Sequence, residues 1–339
     1  MILLPLPSQR WNHSVLRSPH DIRSVDRPIF DMMNSEIVGR FAPTPSGRLH
    51  LGNLLCCLLG YLSAKSRGGR FLLRIEDVDV PRCPKRLADQ CIEDLSFLGF
   101  AFDGPTLYQS ERTEIYQRYF DHLDELGLVY PCFCTRAQLH AAQAPNLGDR
   151  EPVYNGACAQ LTGEEIAERE KTRRPAMRLR VPDADISFVD GHYGPVSENL
   201  ARDTGDYIIR RSDGLFGYQL AAVVDDALSG VNEIVRGRDI LSSTPRQIHM
   251  QRTLGFGTPD YAHIPLLMDS QGRRLAKRDK DLDLSALAKR FSPEEILGML
   301  AFSAGVIPES RPASLAELIK VFDWKNVKTD DLRLPEILK

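Results

Sequence analysis

The stretch Gly39–Asn53, Gly-Arg-Phe-Ala-Pro-Thr-Pro-Ser-Gly-Arg-Leu-His-Leu-Gly-Asn, restricts the possible folds of this chain more than any other. It reads as a β-strand ended by a turn that Pro43 and Pro45 break, followed by a helix opening at His50-Leu51-Gly52-Asn53. Residues 51–67 suit a helix, with an apolar stripe through Leu55, Leu58, Leu59 and Leu62. The amino end of a helix offers unpaired N–H groups and a positive dipole end, which together favour phosphate. Gly52 leaves room for a flat base or ribose against the backbone, and His50 supplies a donor beside it.

The segments that follow repeat this alternation. Arg70–Ile75 reads as a strand and Lys85–Leu98 as a helix, and a third helix, capped by Ser110, runs to Leu126 and stops at Gly127. Strands separated by helices of this length predict an α/β fold, a Rossmann-like parallel sheet with right-handed crossovers. Ligands in such folds sit at the carboxyl ends of strands, where Ala42–Ser46 and Glu76–Asp79 fall. Residues 129–175, with Pro131, Pro145, Asn146, Gly148 and Gly156, read as an insertion. Alternation then resumes with strands at 176–180, 186–189 and 207–209, a helix at 218–228 and a strand at 233–235. A helix opened by Thr244-Pro245 and a strand at 262–267 lead to a basic loop, and Ser292-Pro293-Glu294-Glu295 opens a further helix. The expected organisation is a flexible extension over 1–35, catalytic halves over 36–128 and 176–290 around the insertion, and a short helical segment over 291–339.

A hydrophobic content of 42% in 339 residues provides for a full core, and a net charge of -3 argues against sequence-blind coating of nucleic acid, although a local basic groove remains compatible with it. No apolar run approaches membrane-spanning length, so no membrane partner is expected. Seven cysteines without a signal peptide point to a reducing, cytoplasmic setting and to thiols or metal ligands. A monomer is expected.

The basic loop is Gly272-Arg-Arg-Leu-Ala-Lys-Arg-Asp-Lys280, whose cations suit the developing charge of a reacting phosphate. With the His-Leu-Gly-Asn helix start, it resembles the HIGH and KMSKS pair of class I aminoacyl-tRNA synthetases. Arg40-Phe-Ala-Pro-Thr-Pro-Ser-Gly-Arg-Leu-His50 and Arg74-Ile-Glu-Asp-Val-Asp79 narrow the resemblance, which runs from about Val38 to Ser285, to the glutamyl branch. For ATP, with Mg2+, the resemblance implies His50, Gly52, Asn53 and Lys277, with His50 and Lys277 catalytic. Ala276 stands where the family has serine, a loss of about 1 kcal/mol of hydrogen bonding at most.

Glutamate carries two carboxylates and an ammonium, so its pocket needs guanidinium and carboxylate groups. Arg40 and Arg236 are candidates for the side-chain carboxylate, Glu76 for the ammonium, and Tyr218 for a hydroxyl donor. The resemblance implies a glutamate site formed by Arg40, Phe41, Ala42, Pro43, Thr44, Glu76, Tyr218 and Arg236. Cys132-Phe-Cys134 with Cys158 suggests a zinc site, the alternative being three buried thiols. His140 is the ordinary chemical choice for a fourth ligand, while the resemblance implies Tyr154. Cys56, Cys57, Cys83 and Cys91 read as small core or near-surface residues.

Only about sixty residues follow Lys277, too few for the helical domain with which a glutamyl-tRNA synthetase reads the anticodon. That feature and the Cys-x-Cys, Tyr-x-x-x-Cys pattern resemble the glutamyl-queuosine tRNA(Asp) synthetases. The resemblance implies activation of L-glutamate by ATP without tRNA, then transfer to the queuosine base of tRNA(Asp). The competing readings are a short glutamyl-tRNA synthetase charging the 3′ end and a non-catalytic, synthetase-like RNA-binding paralogue.

Overall fold

The computed structural model describes residues 36–135, 137–138, 153–268 and 284–333, which lie in one compact unit. The expected extension over 1–35, His140, and the basic loop with Ala276 and Lys277 lie outside the described residues.

Strand β1 (Val38–Phe41) pairs in parallel with β2 (Arg70–Ile75), which pairs in parallel with β3 (Leu107–Tyr108). On the other side of β1 lies β9 (Glu233–Gly237), paired in parallel with β10 (Asp260–Ile264). Asn232 joins the two halves: its backbone N–H donates to the Val38 carbonyl at 3.1 Å, and its side-chain oxygen accepts from the Val38 N–H at 2.8 Å. The order β3-β2-β1-β9-β10 reverses direction between β1 and β9, which opens a crevice at the carboxyl ends of those two strands.

Helix α1 (Leu51–Lys65) returns the chain from β1 to β2, and the apolar stripe expected there is buried. Gly60 lets α1 lie close to the sheet, because a Cβ there would sit 3.2 Å from the Phe71 ring and 3.5 Å from Val235. Side-chain alternation then divides the strands. Phe41, Phe71, Leu73, Val235, Ala262 and Ile264 share the core of α1, whereas Val38, Ile234 and Tyr261 share another core with Ile186, Leu200 and Ile248. Arg40, Arg74, Arg236 and His263 fall on the second parity, so four adjacent strands direct polar groups to one face.

Helix α2 (Lys85–Phe97) precedes β3, and α3 (Thr113–Glu125) follows it. Ser110 does not cap α3: its hydroxyl and N–H donate to Asp77 at 2.7 and 2.9 Å, and a 3-10 turn over Gln109–Glu111 intervenes. Asp225 anchors this region from 0% exposure, accepting from Gln109, Arg112 and Tyr116 at 2.7–2.8 Å.

Of the strands expected after residue 175, those at 176–180, 186–189 and 207–209 do not continue the parallel sheet, whereas β9 and β10 do. Strands β4 (Val129–Cys132), β5 (Ala176–Leu179) and β8 (Tyr207–Arg210) form an antiparallel sheet that spans the expected boundary at 175. Helix α4 (Gly163–Glu170), opened by a Thr162–Glu165 capping box, lies in the insertion. Strands β6 (Asp185–Asp190) and β7 (Gly194–Asn199) make a hairpin, tied to β10 by the Gly191 N–H donating to the Tyr261 carbonyl at 2.7 Å. Gly194 and Pro195 disguise β7 in the sequence. Helices α5 (Tyr218–Leu228) and α6 (Thr244–Thr253) flank β9 in the chain. The strand expected over 262–267 is broken at Pro265 into β10 and β11 (Leu267–Met268).

The carboxyl-terminal elements are α7 (Leu284–Leu287), α8 (Pro293–Ala304), α9 (Leu315–Val321) and β12 (Leu332–Arg333). They join the main core, with Ile296, Leu297, Leu300 and Leu318 in the cluster that holds α1. Trp324 donates to Ser63 of α1 at 2.9 Å, and β12 pairs with β11. Gly298 permits a close backbone crossing, since a Cβ there would stand 1.8 Å from the Arg311 carbonyl oxygen. Gly298→Ala should therefore cost about 1–3 kcal/mol through forced displacement of backbone, read as a lower urea midpoint; an unchanged midpoint would show that the 311–313 segment yields freely.

Candidate active site

A cavity of about 460 Å³ opens at the carboxyl ends of β1, β2, β9 and β10 beside the amino end of α1. Its walls bring together Arg40, Phe41, Ala42, Pro43, Thr44, His50, Gly52, Asn53, Glu76, Tyr218 and Arg236, all the expected glutamate and ATP residues among those described.

The amino end of α1 is built by its own side chains. His50 is the cap residue, and its Nδ1 accepts the Gly52 N–H at 3.1 Å. Asn53 Oδ1 accepts the His50 N–H at 3.3 Å, completing a reciprocal capping box. An Nδ1 that accepts cannot carry a proton, so the cap holds the ring as the Nε2–H tautomer, a hydrogen-bond donor. Gly52 protects that geometry, because a Cβ there would stand 3.0 Å from both Nδ1 and Cε1 of His50.

Opposite α1 lies a buried charge network. Asp226 of α5 accepts from Arg40 Nε at 3.2 Å and Arg74 Nη1 at 2.5 Å, bridging β1 and β2. Arg74 Nη2 donates to Glu76 at 3.2 Å, and the Thr44 hydroxyl donates to the other Glu76 oxygen at 3.4 Å. Burial works against the charge on Asp226, but the Arg74 and Arg40 guanidiniums hold its carboxyl below the ordinary range. Glu76 goes the other way: burial outweighs Arg74 and Arg40 and raises its carboxyl above the ordinary value. Glu76 is thus a carboxylate whose ionised form an arriving cation would favour.

Arg236 has a different environment. Its Nη1 donates to Gln247 at 2.7 Å, Nη2 to Thr244 at 2.7 Å and Nε to His263 at 3.0 Å, and its guanidinium lies 5.2 Å from the Tyr261 ring centre. Its exposure is 4%, and among the described residues no carboxylate lies within ion-pair distance of it. Neutral acceptors orient the guanidinium without cancelling its charge and leave one N–H on each terminal nitrogen for a ligand. Tyr218, 40% exposed, stands at the first position of α5 and lines the same cavity.

Sequence reasoning did not single out Asp226, His263, Gln247 or Thr244 as part of this network. Arg74 was in reach, since it lies two residues before Glu76 on a strand and so on the same face. The others come from α5, α6 and β10, and no spacing in the sequence ties them to β1.

A second cluster lies in the insertion. The sulfurs of Cys132, Cys134 and Cys158 lie within 4.8 Å of one another, a set that can hold a metal ion. The Tyr154 hydroxyl is 3.6 Å from the Cys132 sulfur and accepts the Cys158 N–H at 2.7 Å, while the Arg178 guanidinium lies 3.7 Å from its ring centre. Burial opposes ionisation of Cys132, but hydrogen bonding from Arg178 and backbone leaves its thiol below the ordinary value. Burial and the neighbouring sulfurs push the Cys134 thiol up to about 11.

The fold and the cavity define an enzyme of the class I synthetase type. Residues 36–326 match the family model for the catalytic domain of class I tRNA synthetases (E and Q), and the chain belongs to that family. Among curated relatives, the glutamyl-Q tRNA(Asp) synthetases of Symbiobacterium thermophilum and Nitratidesulfovibrio vulgaris are 45% and 44% identical, each over 88% of this chain and 96% of the relative. That of Neisseria gonorrhoeae is 47% identical over 88% of this chain and 97% of its own. Among solved structures, a glutamate tRNA ligase from Elizabethkingia meningosepticum in complex with its amino acid superposes with a TM-score of 0.76 at 27% identity, covering 90% of this chain and 68% of that one. No helix among the described residues is long and apolar enough to cross a membrane.

Class I synthetases use ATP, and the cap geometry gives a test of its site. Alanine is the better helix former by about 1 kcal/mol, roughly what loss of the His50 cap costs, so Gly52→Ala should change the unfolding temperature little. Its Cβ should displace the His50 ring and lower ATP–pyrophosphate exchange on the order of tenfold or more. Exchange at the parent rate would show that the ring position is not critical.

Proposed function

We propose that the chain activates L-glutamate with ATP, without needing tRNA, and transfers it to the queuosine base in the anticodon of tRNA(Asp). The observation that carries this reading is the match to curated glutamyl-Q tRNA(Asp) synthetases at 44–45% identity over 96% of their length. The cavity supplies supporting chemistry, for Arg236 offers an uncancelled cation to a carboxylate and Glu76 an anion to an ammonium. In this assignment Arg40 to Thr44 form the floor beside β1, and Tyr218 adds a hydroxyl at the mouth. The glutamate α-carboxylate attacks the α-phosphorus of ATP and pyrophosphate leaves. His50, through Nε2–H, and the amino end of α1 stabilise the phosphate charge, with Lys277 assigned the same work from the loop. A hydroxyl of the queuosine cyclopentene diol then attacks the mixed anhydride and AMP leaves.

Arg236→Ala should raise the glutamate KM by on the order of a hundredfold or more, because a buried substrate carboxylate would lose its charge-assisted fork, while the protein still folds. Parent-level exchange at subsaturating glutamate would remove Arg236 from the site. The whole reading is tested with labelled glutamate and two RNAs: label should enter queuosine-containing tRNA(Asp) and not tRNA(Asp) lacking queuosine. Charging of the 3′ end of tRNA(Glu) instead would favour a short glutamyl-tRNA synthetase, and no exchange at all a non-catalytic paralogue.

The cysteine cluster is assigned to one zinc ion held by Cys132, Cys134, Cys158 and Tyr154. Tetrahedral ligands at Zn–S of about 2.3 Å stand about 3.8 Å apart, and a sulfur–oxygen edge is about 3.5 Å. The Cys134–Cys158 separation of 3.7 Å and the Cys132–Tyr154 separation of 3.6 Å fit both edges. Such an ion would tie β4 to the 154–158 turn and do no chemistry on substrate. Elemental analysis of protein prepared without chelator should find about one zinc per chain, lost in Cys132→Ser because a hydroxyl replaces a thiolate poorly. Full zinc affinity in Tyr154→Phe together with loss in His140→Ala would move the fourth ligand to His140.

A further inference from the structure

Behind Arg236 lies a second polar layer that substrate contact does not account for. His263 of β10 is in register with Arg236 of β9, and the two side chains share a face. Arg236 Nε donates to His263 Nε2 at 3.0 Å, and His263 Nδ1 lies 2.5 Å from Asp190 Oδ2, both side chains at 0% exposure. A guanidinium N–H can only donate, so Nε2 accepts and the ring proton resides on Nδ1, donated to Asp190. Asp190 is held in turn by the backbone N–H groups of His192, Tyr193 and His263 at 2.9–3.2 Å. An ion-pair partner would orient Arg236 equally well but would cancel its charge. A neutral imidazole orients it and leaves the charge for a ligand.

We propose that His263 is a positioning residue for glutamate binding: its neutral ring, fixed in one tautomer by Asp190, aims the Arg236 guanidinium, and protonation of the ring releases it. This rests on the reading of Arg236 as the substrate's carboxylate anchor. The charged groups facing His263 are Asp190 from β6, Arg236 from β9 and Asp239 from the turn after β9. Helix α6 contributes only the neutral Thr244 and Gln247 to the Arg236 shell, and Tyr261 stacks on His263 with ring centres 6.4 Å apart. Burial lowers the ring's proton affinity, Arg236 lowers it further, and the bonded Asp190 raises it, with a net shift downward. The ring is therefore neutral at neutral pH and protonates on the acid side of the ordinary histidine range. A protonated ring has no lone pair for Arg236 and sets a like charge against it, so the glutamate KM should rise as pH falls while kcat changes less.

The test is glutamate-dependent ATP–pyrophosphate exchange at saturating ATP, from about pH 8 to about pH 5, a range above glutamate's own carboxylate titrations. The parent protein is compared with His263→Gln and His263→Asn, with unfolding temperature followed for each. Glutamine places a non-titrating carbonyl near the Nε2 position, so its KM at neutral pH should stay within about threefold of the parent, and its acidic rise should shrink to the part contributed by Glu76, whose carboxyl burial also raises. Asparagine places its amide near the Nδ1 position, keeps a donor for Asp190 and leaves Arg236 Nε unpaired, so its KM should rise on the order of tenfold. Equal KM values in the two variants, or an acidic rise as large in the glutamine variant as in the parent, would overturn the proposal while the functional reading stands. Should the glutamine variant not fold, a parent KM that is flat across the range overturns it equally. Absence of glutamate-dependent exchange in the parent protein would overturn both.

Discussion

The site depends on one buried carboxylate. Asp226 reaches from α5 to the ends of two strands and accepts from Arg40 and Arg74 at once, so neither guanidinium can leave without stranding the other partners. Breaking a buried pair of this kind leaves an uncompensated charge, which costs on the order of 3–5 kcal/mol. Glu76 is ordered through the same network, since Arg74 divides its donors between Asp226 and Glu76. The pocket is thus fixed before any ligand arrives, as binding in a defined geometry requires.

The two halves of the cavity solve the same problem differently. At α1 the backbone supplies the donors, and the His50–Asn53 capping box uses side chains to hold the first turn. At β9 a single guanidinium supplies the charge, oriented by groups that carry none. Their junction is the point where strand order reverses between β1 and β9, and the loops there separate to leave a crevice. The carboxyl-terminal helices stabilise this junction from beneath, packing on α1 and bonding to Ser63 through Trp324.

Much of this was legible in order along the chain. The strand–turn–helix at 38–65, the strand at 70–75, the helix at 218–228 and the helix opened by Ser292-Pro293 follow from local period and from Pro, Gly and Ser at their ends. The cysteine cluster was legible because Cys132, Cys134 and Cys158 are few, soft and closely spaced. The antiparallel strands were misassigned because alternating sequence reports that a strand exists and carries no record of which strand it pairs with. Ser110 was misread as a cap because a hydroxyl before a helix has the same local signature whether it bonds to the helix or, as here, to Asp77.

By itself the sequence determined β1, β2, most of the helices and the opening of α1, because these rest on local period and on contacts only a few residues apart. Tertiary structure alone decided that Asp226, some 190 residues beyond Arg40 (a separation of 186), would bridge two arginines, and that Arg236 would be surrounded by neutral acceptors. Both depend on parity and register across adjacent strands: shifting any one strand by a single residue would carry its polar side chains to the face that α1 covers.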